Sequence, residues 1–183
     1  MKSLSAHLLI ASADLQDPNF FRTVVLIFRH SDEGAAGVIL NRGMTATIKE
    51  VWQQVSETEC HTDAPLYLGG PVEGPLMAVH RDESLSELTV LPGVYVSTGR
   101  ESLEALVLAD DPTRRFFVGY AGWGEGQLER ELREGGWLVA PATSELIFAP
   151  PDDLWQRLTK EVTSAAFLSA LKIKNVPDDP SLN

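Results

Sequence analysis

The chain has 183 residues, of which 44% are hydrophobic and 22% are charged, and its formal net charge is -11 at pH 7. This length and composition are typical of one globular domain and exclude a largely disordered or fibrous chain. The acidic excess, with no basic face, repels nucleic-acid phosphates and anionic membrane surfaces, so we expect the protein to bind neither of them directly.

Short apolar runs rich in β-branched and aromatic residues predict nine strands. The run at residues 23–30 is apolar on both alternating faces, which places it in the interior of a sheet. A connection at residues 31–35 joins it to the next run, as in a hairpin with a longer loop. The predicted strands span residues 7–11, 23–30, 36–41, 66–69, 76–80, 94–97, 116–121, 137–140 and 145–148.

Four helical patterns lie between or after these strands. In the first, four apolar residues fall on one helical face: Ile48, Val51, Trp52 and Val55. Thr45 or Thr47 can cap its N-terminus. The predicted helices span residues 47–57, 101–109, 127–134 and about 152–172.

The order of these elements predicts the fold class. Hairpins mix with strand-helix-strand stretches, and no long βαβαβ series is present, which predicts an α+β fold with a mostly antiparallel sheet. We expect a single domain over residues 1–174. Residues 175–183 are Pro-rich and acidic, which predicts a C-terminal tail.

The cysteine content and the start of the chain predict the compartment. The single cysteine, Cys60, cannot form an intramolecular disulfide, and its polar acidic surroundings predict an inert surface thiol. The first residues do not resemble a signal peptide, and no apolar run approaches the ~18 residues of a membrane span. We therefore expect a cytoplasmic protein.

Five polar residues at the ends of predicted strands are candidates for a binding site: Arg22, Thr23, His30, Asn41 and His80. His30 and His80 can act at one sheet edge as a base or a ligand pair, or simply hydrogen-bond a turn. In an extended strand, the even separation of Arg22 and His30 places them on one face. Arg22, Thr23 and Asn41 can bind an anion or satisfy backbone groups at strand ends.

Other motifs predict no metal or cofactor. The histidines and the cysteine lack the spacing of zinc ligands, so we expect no metal. The Gly-rich run at residues 119–126 follows a strand and precedes a helix, but Glu125 and Glu129 put negative charge where a phosphate would bind. We expect these glycines to form tight turns with Trp123 packed over them, and Gly69-Gly70 to end a strand in the same way.

Four segments of the sequence, read together, resemble the YqgE/AlgH family: residues 17–26 with His30, 37–42, 67–72 and 119–129. The resemblance implies a bifurcated, mainly antiparallel sheet that curls into a pseudo-barrel, with about four flanking helices. Members of this family are bacterial and largely uncharacterised, and some carry the label of transcriptional regulator through an association with alginate production. The family has no established catalytic residues that can be transferred to this chain.

Three functions follow from these observations, in decreasing order of support. The first is a non-catalytic binding or regulatory module that recognises a protein or a small molecule, as a monomer or a homodimer. The second is an enzyme or anion-binding protein whose site gathers the five candidate residues from separate strands. The third is direct DNA binding, which the net charge and the absence of a helix-turn-helix pattern disfavour.

Overall fold

The computed structural model describes residues 3–109 and 111–170. Its strands are β1 His7–Ala11, β2 Val24–Ser31, β3 Gly34–Ile39, β4 Gly43–Thr47, β5 Pro65–Leu68, β6 Met77–His80, β7 Leu88–Leu91, β8 Val94–Ser97, β9 Arg115–Val118, β10 Ala121–Trp123 and β11 Trp137–Pro141. Its α-helices are α1 Ile48–Val55, α2 Arg100–Leu108, α3 Gln127–Arg133, α4 Ser144–Ile147 and α5 Leu154–Ala170. A short 3-10 helix spans Glu83–Leu85.

The described strands form two sheets. The first has the order β10-β3-β2-β1-β11 and is antiparallel throughout. The second has the order β4-β5-β9-β6-β8-β7 and is antiparallel except for β5 and β9, which run parallel. The two sheets meet where the Ile39 N–H donates to the Gly69 carbonyl oxygen, 2.8 Å away. The α+β class and the mainly antiparallel pairing are confirmed, and the sheets do not close into a barrel.

The main core lies between the two sheets. Leu8, Leu26 and Val38 from the first sheet share one cluster with Tyr67 and Phe117 from the second. Burying a side chain of this size stabilises the fold by ~1.5–3 kcal/mol. Helices α4 and α5 complete this cluster, α3 covers the outer face of the first sheet, and α1 and α2 cover the outer face of the second.

Two local predictions are confirmed in detail. The strand predicted at residues 23–30 is β2, which lies between β1 and β3 and buries its first four residues completely. Helix α1 begins after Thr47, whose hydroxyl accepts from the Glu50 N–H while the Glu50 carboxylate accepts from the Thr47 N–H. This reciprocal pair satisfies two N–H groups that the start of a helix leaves without partners, and it selects Thr47 over Thr45 as the cap.

Other predictions are wrong. Residues 145–148, expected as a strand, fall in α4 and at its C-terminal cap, because the Thr143 hydroxyl caps that helix by accepting from the Leu146 N–H. The sequence patterns missed β4 and β7, which are exposed edge strands, and β10, which is three residues long. The described residues hold five α-helices, one more than the four that were expected.

Cys60 is buried against α1 and α2, with its thiol 3.3 Å from the Thr62 carbonyl oxygen, so the prediction of a surface thiol is also wrong. The predicted tail at residues 175–183 lies outside the described residues, as does the end of the fourth predicted helix. None of the helices in the described ranges has the length and apolar character needed to cross a membrane.

Candidate binding site

Three of the five candidate residues lie together at the start of β2. The side-chain oxygen of Asn41 accepts from the Val24 N–H at 2.8 Å, and its amide nitrogen donates to the Arg22 carbonyl oxygen at 2.9 Å. The Thr23 hydroxyl donates to the Phe20 carbonyl oxygen at 2.9 Å. Asn41 and Thr23 therefore satisfy backbone groups at strand ends, which is one of the two roles that the sequence left open.

His30 lies at the opposite end of β2, on the order of 25 Å from Arg22 at the rise of an extended strand. The pairing of β2 with β3 shifts register between Ile27 and Arg29. Such a bulge inserts one residue and reverses the alternation of faces beyond it. The prediction that Arg22 and His30 share a face is therefore wrong, and His30 instead faces α3.

The His30 ring links the N-terminal segment to α3. Its Nδ1 accepts from the Leu4 N–H at 2.9 Å, so Nε2 carries the proton and donates to the Glu129 carboxylate at 2.8 Å. The pKa of Glu129 is lowered, first by its own backbone N–H and then by His30, against an opposing rise from burial. Both ring nitrogens of His30 are thus engaged inside the protein.

His80 is fully buried in the second sheet, away from the other candidates. Its Nε2 lies 2.9 Å from the Ser97 hydroxyl, which itself donates to the Leu85 carbonyl oxygen, so Nε2 is the donor to Ser97. Burial lowers the pKa of His80, with Asp82 as the leading opposing influence. The five candidate residues therefore occupy three separate places and form no common site.

A cleft of about 590 Å³ opens at the carboxyl ends of β5 and β9, the parallel pair of strands. Asn19 contributes to it from the turn before β2. The chain that follows β5 forms one wall and the residues around the end of β9 form another. The complete lining is Asn19, Leu68, Gly70, Pro71, Val72, Glu73, Gly74, Val118 and Gly119.

Glycines allow the two loops that form the cleft to touch through their backbones. A Cβ atom at Gly70 would lie 2.2 Å from the carbonyl carbon of Tyr120. Gly119 has a φ of +68°, and a Cβ there would lie 2.8 Å from the Val72 carbonyl oxygen. Val72 and Tyr120 are joined by an isolated antiparallel bridge. The glycines thus have the structural role that the sequence predicted.

The ring of Tyr120 packs close to two other glycines, Gly74 and Gly122. Trp123 instead stacks on Phe20, with ring centroids 5.8 Å apart, and meets Trp137 edge-on. The packing of Trp123 over the glycines of residues 119–126 stays a prediction.

Arg42 connects the walls of the cleft. Its guanidinium donates to the Asn19 carbonyl oxygen at 2.6 Å, and its own carbonyl oxygen accepts from the Leu68 N–H at 2.9 Å. Burial lowers the pKa of Arg42 and the charge of Asp17 partly offsets this, but an arginine stays protonated throughout the physiological range. Arg42 therefore holds Asn19 in place through its side chain and Leu68 through its backbone.

The chemistry available in the cleft is limited. Glu73 is the one lining residue with a titratable side chain, and it is exposed. General acid–base and nucleophilic catalysis both need a reactive group with a partner within hydrogen-bond reach. Within residues 3–109 and 111–170, no three His, Cys, Asp or Glu side chains are grouped so that they could hold a metal ion.

Sequence reasoning did not select Leu68, Val118 or residues 70–74 as site residues. The signal was present in the glycines at positions 69, 70 and 119, each of which directly follows or lies close to a strand end. Local patterns do not reveal that these two strand ends are neighbours, because the strands are separated by some fifty residues and pair in parallel. The site emerges only from that long-range pairing.

Comparison with known proteins identifies similar sequences over most of the chain. The family model described as AlgH-like, DUF179, matches residues 8–166. A UPF0301 protein from Myxococcus xanthus is 40% identical over 160 residues, which cover 85% of this chain and 88% of the relative. UPF0301 protein CT0663 from Chlorobaculum tepidum is 36% identical over 182 residues, which cover 96% and 94%.

Two solved structures are also similar. The solution structure of the AlgH protein from Pseudomonas aeruginosa matches with a TM-score of 0.72 and 27% identity, covering 97% of each chain. The crystal structure of protein DIP2367 from Corynebacterium diphtheriae matches with a TM-score of 0.70 and 25% identity, covering 88% of each chain. The two-sheet architecture thus agrees with experimentally determined folds.

Proposed function

The chain belongs to the AlgH-like family, and we propose that it is a non-catalytic binding module whose site is the cleft at the carboxyl ends of β5 and β9. The observation that carries this proposal is the convergence of the four segments that resemble the YqgE/AlgH family. Residues 17–26, 67–72 and 119–129 each line the cleft, and Arg42 from residues 37–42 connects two of its walls.

The lining predicts the kind of ligand. Leu68, Pro71, Val72 and Val118 make the walls largely apolar, while Asn19 and the Glu73 carboxylate supply hydrogen-bonding groups. A volume of about 590 Å³ lies in the range of small-molecule sites, and it also accommodates one or two side chains of a protein segment. We expect a ligand with an apolar group, from a small molecule or from a protein partner.

The absence of a reactive pair in the lining supports binding without catalysis. The Glu73 carboxylate has no second titratable side chain in the lining to work with. A protein of this kind has a regulatory effect through the partner or small molecule that it holds.

Ligand-observed NMR with a library of neutral, apolar fragments tests the proposal. Val72 is 37% exposed in the cleft, and Val72→Asp places a charge on the apolar wall. Val55→Asp is the matched control, because Val55 is 60% exposed on α1, away from this cleft. Fragments that bind the wild type and Val55→Asp but lose at least tenfold in affinity for Val72→Asp would support the cleft as the site. No fragment binding, or equal losses in both variants, would reject it.

The alternative function, a site that gathers Arg22, Thr23, His30, Asn41 and His80, has less support. His30 and His80 make internal hydrogen bonds in different sheets, and neither lies with Arg22. Direct DNA binding remains the least favoured reading at a net charge of -11.

A further inference from the structure

Arg22 is held in an arrangement that presents its hydrogen-bond donors. Its guanidinium carbon lies 5.0 Å from the centre of the Phe21 ring and 5.3 Å from that of the Trp155 ring. Trp155 is fixed in turn, since its indole N–H donates to the Ala11 carbonyl oxygen at 2.8 Å. The donors of a guanidinium lie in its plane, so contacts with ring faces hold the group while its edge remains available for hydrogen bonds.

The backbone around Arg22 supports the same arrangement. Arg22 is exposed and has a φ of +54°, a left-handed conformation that is unfavourable for a residue with a Cβ atom. Asn41 binds the carbonyl oxygen of Arg22, and Thr23, the next residue, is 1% exposed. Strained conformations persist where the surrounding structure fixes them, and they concentrate at binding and catalytic sites.

Charge is the second independent observation. Arg100 forms an ion pair with the carboxylate of Glu104 on its own helix, and Arg157 with that of Asp153, directly before its helix. No carboxylate in residues 3–109 and 111–170 lies within 4.0 Å of the Arg22 guanidinium, and the same is true of the exposed Arg29, so the two ring contacts and the backbone conformation are what distinguish Arg22. The chain has a net charge of -11, yet Arg22 has no acidic partner among these residues. Its guanidinium, held by two rings, can therefore bind an anion from outside the chain.

The local charge balance selects the type of anion. Arg42 binds the same turn through the Asn19 carbonyl oxygen, and the negative charge of Asp17 raises the pKa of Arg42. Together, Arg22, Arg42 and Asp17 carry one net positive charge, which suits a monoanion better than a phosphate of charge about -2. The planar fork of a guanidinium also matches a carboxylate with two parallel hydrogen bonds.

We propose that Arg22 binds a carboxylate group of a ligand, with its guanidinium held over the rings of Phe21 and Trp155. Asn19, which lines the cleft, is three residues from Arg22 and lies on the same turn. The carboxylate site depends on its own contacts and does not require the cleft to be occupied.

NMR of the arginine side-chain Nε–H groups tests this site in the full-length protein. The probes are N-acetyl-leucine, which carries an α-carboxylate, and the α-amide of N-acetylglutamate, which carries a side-chain carboxylate. N-acetyl-leucinamide is the neutral control, and inorganic phosphate is the competing anion. We expect one of the two carboxylates to shift the Arg22 signal saturably, with a higher affinity than the amide or phosphate. The tighter of the two identifies the source as a chain terminus or an acidic side chain.

Variants separate the binding site from general surface charge. Arg22→Gln removes the charge-assisted hydrogen bonds and should weaken carboxylate binding by about 10- to 100-fold. Arg29→Gln is the matched control, because Arg29 is exposed on β2, the strand that follows Arg22, without a ring contact or ion pair among the described residues. This variant should bind within about twofold of wild type. Arg22→Lys keeps the charge without the fork and should lose affinity partially, which provides a second variant if Arg22→Gln folds poorly.

Several results would overturn the proposal. Equal affinity for N-acetyl-leucine and its amide would show that the carboxylate is not recognised. Tighter binding of phosphate than of either carboxylate would reject the choice of anion, and equal losses in the Arg22 and Arg29 variants would leave only general electrostatics. A lack of any saturable shift at Arg22 would reject the site. Retention of neutral fragments by the cleft in Arg22→Gln would leave the cleft proposal intact in each case.

Discussion

Replacing Gly119 with alanine should destabilise the protein through contact between the two loops of the cleft. The new Cβ atom would lie 2.8 Å from the Val72 carbonyl oxygen and 3.0 Å from that of Gly70. Gly93 provides the control, because its φ of +78° is close to the +68° of Gly119 but it has no atom within 4 Å of an added Cβ. A left-handed alanine costs ~1–2 kcal/mol at either position. The overlap at position 119 adds ~1–3 kcal/mol, since the obstructing atoms belong to the backbone.

Urea denaturation followed by circular dichroism measures this difference. With a slope of ~2 kcal/mol/M, the midpoint for Gly119→Ala should lie roughly 0.5–1.5 M below that of Gly93→Ala. Equal midpoints for the two variants would show that backbone conformation alone makes glycine necessary at position 119. The reasoning about the close contact of the two loops would then be refuted.

Two further predictions concern pH. Burial raises the pKa of Glu87, but hydrogen bonds from Thr98 and Gly99 at the start of α2 outweigh it, so the net pKa lies below the ordinary 4.5. The stabilisation is therefore present above pH 4.5 and is lost as pH falls through the lowered pKa. Because Glu87 is exposed and water screens its charge, Glu87→Gln should cost only a few tenths of ~1 kcal/mol at pH 7, and it should abolish that loss in urea unfolding curves. Burial lowers the pKa of His80 below its ordinary 6.5, so the unfolded chain binds a proton first and stability falls as pH drops below 6.5. In His80→Leu the part of the stability loss that comes from His80 should vanish. An unchanged dependence of the unfolding free energy on pH between pH 6.5 and 5 would contradict this assignment to His80.

The parts of the fold that follow from local patterns were predictable from sequence. The continuous apolar run of β2 identified a central strand, and Thr47 with Glu50 marked the start of α1. The short apolar run at residues 145–148 is compatible with either a strand or a helix, so the cap at Thr143 decided between them. A bulge in β2 was not visible in the sequence, because the extra residue is set by the pairing with β3.

The candidate site was less predictable, for a related reason. Polar residues at strand ends attracted attention, yet Asn41 and Thr23 use their side chains on backbone groups, and His30 and His80 are engaged inside the fold. The cleft depends on the neighbouring ends of β5 and β9, and its lining is mostly glycine and aliphatic residues. Such residues carry little chemical signal in a sequence until the fold places them around one space.

The glycine contacts also determine how the cleft can bind. Gly70 and Gly119 place backbone against backbone, and the bridge between Val72 and Tyr120 ties the same two loops together. A cleft whose walls are joined in this way is largely formed before a ligand arrives, so binding costs little ordering of the protein. A preformed apolar cleft also removes the need for a closing lid, which agrees with a module that holds a ligand rather than one that sequesters a reaction from water. The same contacts thus connect the stability of the fold to the shape of the site.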